Sequence, residues 1–270
     1  MNARLVFCAI VALPLSNAAL AQPYDCMIEP IQTIELRAVV GGAIEKITVH
    51  RGDRVAKGQV LVMLESSAER AAAEAAAYRA QMEGPEAVAQ TKLEYAERKF
   101  ARHREMAAQN LMSGQDRDDA ERDMRSAEAE LELARENREM ATLDAREQTS
   151  MLERRTIRSP FNGVVADQLL YPGEVIEPGD SNRPILKLAQ IDPLRVHVIL
   201  PFNVFGRVKA GAILEVIPEL DVGRKLEGTV AIVDSVLDAA SGTFAVFLDV
   251  PNPALDVPAG LKCRAVLPAP

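Results

Sequence analysis

GGAIEKITVHRGDRVAKGQVLVML, running from Gly41 to Leu64, is written a second time as FNGVVADQLLYPGEVIEPGDSNRPILKL, from Phe161 to Leu188. Gly42, Gly52 and Gly58 are spaced ten and six apart, and Gly163, Gly173 and Gly179 repeat that spacing. An acid follows the middle glycine in both copies, Asp53 and Glu174. Ile44, Ile47 and Val49, then Val55, Val60 and Val62, alternate with polar residues in strand fashion, with Arg51-Gly52-Asp53 and Lys57-Gly58 as turns. Two segments with one pattern are expected to pair in space. Whatever joins them is then forced into a hairpin.

The joining segment changes character at Ser66. Ser66 or Ser67 is placed to cap a helix, with Glu69 completing a capping box. Alanine and charge then dominate to about Arg155. Gly84-Pro85 is expected to kink or break the first arm. Beyond it Ala89, Leu93, Ala96, Phe100, His103 and Ala107 recur at spacings of four and three. The same alternation runs through Ala120, Met124, Ala127, Leu131, Ala134, Arg138, Ala141, Ala145, Gln148 and Leu152. That is the seam of an antiparallel coiled coil. Ser113-Gly114 marks the turn, giving two arms of roughly forty to forty-five residues, each about 60–70 Å if fully helical.

After Gln190 the segments Leu194–Leu200, Ile213–Ile217, Leu226–Leu237, Thr243–Val250 and Lys262–Leu267 read as short strands. Pro, Gly and Asp separate them, with a short helix at Asn203–Lys209. Strands at this spacing suggest an antiparallel barrel. At the other end, Arg4, the apolar stretch Leu5 to Leu15 and Ala19-Leu20-Ala21 read as a cleaved secretory signal. The alternative, an uncleaved anchor, suffers from a run shorter than the roughly twenty residues needed to span a bilayer, interrupted by Pro14.

Cleavage would leave two cysteines, Cys26 and Cys263. In an exported chain they form a disulfide or remain two buried free thiols; a bridge would contribute a nominal entropic stabilisation of roughly 4–5 kcal/mol. The formal net charge of −8 argues against nucleic acid as a partner. Catalytic and metal signatures are missing. His50, His103 and His197 stand apart, and the sequence holds no H-x-x-x-H, C-x-x-C, phosphate-binding loop or G-x-S-x-G. The expectation is a protein that is not an enzyme and carries neither cofactor nor metal.

The doubled glycine segment resembles the biotinyl/lipoyl-type domain, two similar halves building a flattened barrel. In carriers of that fold a modified lysine sits where the halves join. Here Ser67 and Ala68 stand at that join, which argues against covalent biotin or lipoate. The order of lipoyl-like half, hairpin, second half and barrel resembles the periplasmic adaptor (membrane fusion) proteins of tripartite efflux pumps. Gly41 to Glu65, Thr156 to Gly163, Ile185 to Leu194 and Pro258-Ala-Gly260 carry that resemblance. It implies an α+β, elongated multi-domain fold: a split lipoyl-like β-domain bearing a coiled-coil hairpin, followed by an antiparallel β-barrel. The division is a signal peptide at 1–21, a lead-in strand at 22–38, lipoyl-like halves at 39–65 and 156–189, a hairpin at 66–155 with its tip near 110–115, and a barrel at 190–270.

The resemblance further implies a ring of adaptor copies in the periplasm. An inner-membrane efflux transporter of the resistance–nodulation–division type would be one partner and an outer-membrane channel the other. In such adaptors the tip pattern is an arginine, three residues, a leucine, six residues and a serine. Arg102, Met106 and Ser113 take that spacing, with Met106 in place of leucine, and Leu111 and Gly114 complete the tip. Because the chain ends at Pro270, the further membrane-proximal domain of many such adaptors is expected to be reduced or absent. Alternatives are an adaptor of an ABC-type or other export system, or a biotin/lipoyl carrier subunit.

Overall fold

The computed structural model describes residues 23–177, 183–221 and 223–267. The signal segment and Gly179 lie outside them. In chain order the strands are β1 (Pro23–Leu36), β2 (Gly42–Ile47), β3 (Arg54–Val55), β4 (Val60–Leu64), β5 (Thr156–Arg158) and β6 (Gly163–Gln168). They continue with β7 (Val175–Ile176), β8 (Leu186–Pro201), β9 (Ile213–Pro218), β10 (Leu226–Val233), β11 (Thr243–Val250) and β12 (Leu261–Val266). Three helices, α1 (Ser67–Ala80), α2 (Gly84–Ala108) and α3 (Gly114–Glu153), stand between β4 and β5. The described residues fall into two compact units.

One unit comprises residues 35–161 and 165–187. Its sheet runs β5-β4-β2-β7, so strands from both glycine segments sit side by side. Gly42 and Ala43 pair with Ile176 and Val175. The two segments also exchange backbone bonds reciprocally. Gly52 N donates to Val165 O at 2.8 Å and Val165 N returns a bond to Asp53 O at 2.9 Å. In the other direction Gly173 N donates to Ile44 O and Ile44 N to Glu174 O, both at 2.8 Å. The acid after each glycine accepts from the amide three residues before it: His50 N to Asp53 Oδ2 at 2.8 Å, Tyr171 N to Glu174 Oε1 at 2.9 Å. Ile44, Leu61, Val62, Leu64, Val165, Leu170 and Ile185 fill the interior. Each such burial contributes roughly 1.5–3 kcal/mol.

At the base of the hairpin Arg155 replaces the expected capping box. Ser66 starts α1 without a side-chain cap bond. Its neighbour Glu65 accepts from Ser67 N at 2.8 Å, and bonding to Ser67 holds the Glu65 carboxyl below its usual range. Glu69 turns away to Arg155, whose other nitrogen donates to Gly41 O at 2.7 Å. A Cβ on Gly42 would lie 2.6 Å from the Arg155 guanidinium. A side chain at position 42, where φ is +156°, would push that guanidinium aside.

The second unit comprises residues 23–34, 162–164 and 188–267. Its strands run β1-β12-β9-β10-β11-β8, and an additional β1–β8 pairing closes the ring into a six-stranded antiparallel barrel. β1 is thus a barrel strand, where the sequence read a lead-in. Asn203–Lys209 forms no helix beyond a 3-10 turn at Phe202–Val204. Along β8 burial alternates, with Leu194, Val196, Val198 and Leu200 inward. Outward residues pair across the strands: His197 stacks on Phe247 at 4.8 Å, and Arg195 Nη2 donates to Asp249 at 2.9 Å. Buried Asn252 donates to Ile191 O and Val257 O and accepts from Val257 N. Cys26 lies directly opposite Cys263 and is joined to it, S–S 2.09 Å.

Candidate docking site at the hairpin tip

The arms are helical because alanine, glutamate and arginine dominate them, and they associate along the alternating apolar seam. Ala89, Ala96, Ala120, Ala127 and Leu131 are buried, and the remaining seam positions are half-buried. Small side chains at these positions permit close approach of the helices. Cross-arm ion pairs fix the register: Arg79–Asp144 at 3.0 Å, Lys92–Glu130 at 2.9 Å and Lys99–Asp123 at 2.7 Å. The hydrogen bond between Lys99 and Asp123 raises the lysine pKa and lowers that of the aspartate. Near the turn the His103 ring nitrogen Nδ1 lies 3.2 Å from Asp116 O.

The first arm is broken at residues 81–83, and Gly84-Pro85 opens α2. Proline suits that place because the first helical turn needs no amide donor from it. Arg138 bridges the break, donating to Glu83 at 3.0 Å and to Glu86 at 2.9 Å. Arg138 first, then Arg135, holds the Glu86 carboxyl below its usual range.

At the tip α2 ends in a two-bond cap. Asn110 N donates to Ala107 O at 3.0 Å and Leu111 N to Met106 O at 2.9 Å, with Asn110 at φ +55°. This is the Schellman arrangement, with asparagine in the left-handed position that glycine commonly takes. The helix α3 then begins at Gly114, where Ser113 Oγ accepts from Asp116 N at 3.2 Å. Ser113 therefore has a defined structural task, as the cap of the returning arm.

Arg102 and Met106 are four apart on α2 and share one face. Met106 is 40% exposed and Leu111 67% exposed; Arg102 is exposed and makes no ion pair among the described residues. The turn thus gathers Met106, Leu111, Ser113 and Gly114 within one cap-to-cap connection, with Arg102 one turn of helix before it. Asn110 is the tip residue the sequence reading missed. Its signal was an asparagine just past the last seam residue.

At the join of the glycine segments Leu64 is followed by Glu65, Ser66 and α1, with no lysine. Among the described residues no group of three or more His, Cys, Asp or Glu is placed to hold a metal, and no helix is long and apolar enough to cross a membrane. What the tip offers chemically is an apolar contact bordered by an unpaired guanidinium.

A family model described as a CzcB-like, barrel-sandwich hybrid domain matches residues 32–189. The multidrug resistance protein MdtE of Escherichia coli (strain K12) is 25% identical over 250 residues, covering 88% of this chain and 61% of that protein. The membrane fusion protein MtrC of Neisseria gonorrhoeae is 26% identical over 270 residues, covering 96% of this chain and 62% of that protein. The chain therefore spans about three fifths of the length of these relatives. MacA from Actinobacillus actinomycetemcomitans has the same fold, with a TM-score of 0.73 at 21% identity, covering 91% of this chain and 77% of that one. With the paired glycine segments, the inserted hairpin and the match over residues 32–189, the chain belongs to the family of proteins with a CzcB-like barrel-sandwich hybrid domain.

Proposed function

We propose that this chain is a non-enzymatic periplasmic adaptor. It bridges an inner-membrane efflux transporter of the resistance–nodulation–division type and an outer-membrane channel. The observation that carries the reading is the hairpin. Its returning arm α3 has 40 residues, about 60 Å of helix, and the turn it reaches presents Met106 and Leu111 to solvent. A long projection with an apolar, capped end is built to touch a distant protein. The names of MdtE, a multidrug resistance protein, and MtrC, a membrane fusion protein, support the same role.

In this reading residues 1–21 direct export and are removed, and the mature chain works in the periplasm, held at the inner membrane by its partner. A disulfide between Cys26 and Cys263 suits that oxidising compartment. Copies would pack side by side into a ring. Val88 and Tyr95 on α2, and Leu133 and Met140 on α3, are exposed pairs seven residues apart, which favours hairpins lying against one another. Arg102, Met106, Leu111, Ser113 and Gly114 form the channel-docking tip, with Ser113 and Gly114 shaping it and the other three touching the channel. Work is transmitted geometrically, with no covalent chemistry.

The test is a double variant, Arg102→Ala with Leu111→Ala, neither of which removes a cap bond. Efflux-dependent drug tolerance and site-specific cross-linking to the channel are both expected to fall while the protein level and the helical circular dichroism hold. Full efflux together with undiminished cross-linking would sink the tip assignment.

A further inference from the structure

We propose that the hairpin is jointed: it pivots where residues 81–83 interrupt the first arm, and Arg138 of α3 is the latch that keeps the joint shut. The two arms differ in build. α3 runs unbroken through Gly114–Glu153, whereas the first arm is two helices. The backbone ladder of α1 ends with Met82 N donating to Arg79 O at 3.2 Å, and Ala87 N donating to Glu83 O at 3.0 Å starts that of α2. Pro85 has no amide to carry the ladder across. Gly84 is not at positive φ, and a Cβ there would meet nothing within 4 Å. Glycine at such a site contributes backbone freedom alone.

The unbroken arm is least supported at the same level. Its buried residues, Ala120, Ala127 and Leu131, all lie on the tip side of Arg138. The first arm buries Ala76 before the break and nothing again until Ala89. Between them a cavity of ≈ 390 Å³ opens, with Glu139, Thr142 and Leu143 of α3 in its wall. Thr142 Oγ1 donates to Arg138 O at 3.0 Å, a back-bond that weakens and bends helices. A bend of α3 here meets empty space, where elsewhere it would meet close-packed side chains.

Ion pairs pin both sides of the joint to α3. On the α1 side Arg79 reaches Asp144 at 3.0 Å. On the α2 side Arg138 donates to Glu83 at 3.0 Å and to Glu86 at 2.9 Å. Arg135 adds Glu86 at 3.4 Å and Glu132 at 4.0 Å. These guanidinium groups are taken by carboxylates of the chain itself, so the cluster acts within the hairpin. Arg138 is half-buried at a position of the seam flanked by Ala134 and Ala141. Bonds of this kind are readily exchanged for water, which lets the latch open without unfolding a helix. With Arg138 released, α2 keeps its own ladder but loses its hold on α3 at the first turn.

Spin labels at Glu74→Cys on α1 and Ala101→Cys on α2 stand about 40 Å apart along the arm. Cys8→Ser leaves no other free thiol, since Cys26 and Cys263 are bridged. Pulsed electron paramagnetic resonance on the full chain is expected to show a main distance and a minor, shorter one. Arg138→Gln is expected to raise the minor population roughly fivefold with helical ellipticity unchanged. Gly84→Ala is expected to lower it roughly threefold. The parent tests the latch without mutation: about 1 M salt shortens the screening length to about 3 Å and is expected to raise the minor population as well. Lys92→Gln, which breaks the ion pair to Glu130 away from the joint, is expected to leave the populations as they are. A second pair, Val88→Cys with Ala101→Cys, lies wholly within α2 and is expected to keep one distance throughout. Unchanged distances in both Arg138→Gln and high salt, or an equal rise in Lys92→Gln, would overturn the proposal. So would a second distance within α2, which would mean that the helix frays instead of pivoting.

Discussion

Gly52 and Gly173 occupy one conformation in two places: φ is +93° at the first and +92° at the second, and each amide donates at 2.8 Å to a strand of the opposite segment. A left-handed backbone costs a residue with a Cβ roughly 1–2 kcal/mol. Neither position has a neighbour within 4 Å of an added Cβ, so the cost is conformational alone. Gly52→Ala and Gly173→Ala are therefore expected to lower stability by similar amounts, about 1–2 kcal/mol each. Urea denaturation of the two variants compares them; a large effect at one site with none at the other would contradict the equivalence.

Asn252 holds three backbone groups of the barrel interior at once. Asn252→Ala leaves Ile191 O, Val257 O and Val257 N without that partner. Buried unpaired groups cost about 1–3 kcal/mol each, so a loss of at least about 3 kcal/mol is expected. The thermal midpoint reads it directly. Asn252→Asp, which when protonated at low pH keeps the acceptor and one of the two donated bonds, is expected to fall in between there.

The bridge between Cys26 and Cys263 spans 237 residues of sequence. Cross-linking positions so far apart restricts the unfolded chain, and the Cys26→Ser, Cys263→Ser double variant is expected to lose roughly 2–5 kcal/mol. Denaturation with and without a phosphine reductant should show the same loss in the parent. A parent whose unfolding ignores the reductant while its bridge is demonstrably reduced would refute this.

Acid is expected to loosen the hairpin. Glu86 and Asp123 have folded pKa values lowered by their hydrogen bonds to Arg138 and Lys99. Their contribution is fully present above the unfolded carboxylate range of about 3.9–4.3. It disappears as pH falls through the lower folded values. Helical ellipticity during heating, compared between pH 7 and pH 3, follows it. In Glu86→Gln with Asp123→Asn the dependence should flatten. Asp123 is exposed and Glu86 half-buried, so added salt should shrink the difference, chiefly through Asp123.

At the tip, Asn110 stands at φ +55° between two capping bonds. Glycine takes that conformation freely and a β-branched residue resists it. Asn110→Gly is expected to keep or slightly raise hairpin stability, and Asn110→Val to lower it by roughly 1–2 kcal/mol. Hydrogen exchange at the Leu111 amide is the sensitive readout, because that amide bonds to Met106 O only while the cap is closed.

The hairpin and the glycine segments were legible because their signals are local and periodic. Ala89, Ala96, Ala120, Ala127 and Leu131 announce their burial by spacing alone. β1 was harder: PYDCMIEPIQTIEL alternates weakly, and its membership in the barrel depends on a partner, β12, at the far end of the chain. Glu69 was misassigned for a related reason. Its local environment suits a capping box, yet Arg155, 86 residues away, takes the carboxylate. Of the tip, the serine cap and the turn were visible, whereas Asn110 acquires its conformation from the way α2 ends.

The reciprocal bonds between the glycine segments also dictate an order of assembly. Gly52 N and Gly173 N each find their acceptor in the opposite segment, so neither segment alone completes its turn. Arg155 and Gly41 meet across 114 residues, a closure whose entropic cost would slow a chain that had to find it by diffusion. The arms close from a short turn, step by step, through contacts between near neighbours. Once α2 and α3 have zipped, the two segments arrive together at the same end. The hairpin that reaches outward in the folded protein is, during folding, what makes a remote encounter local.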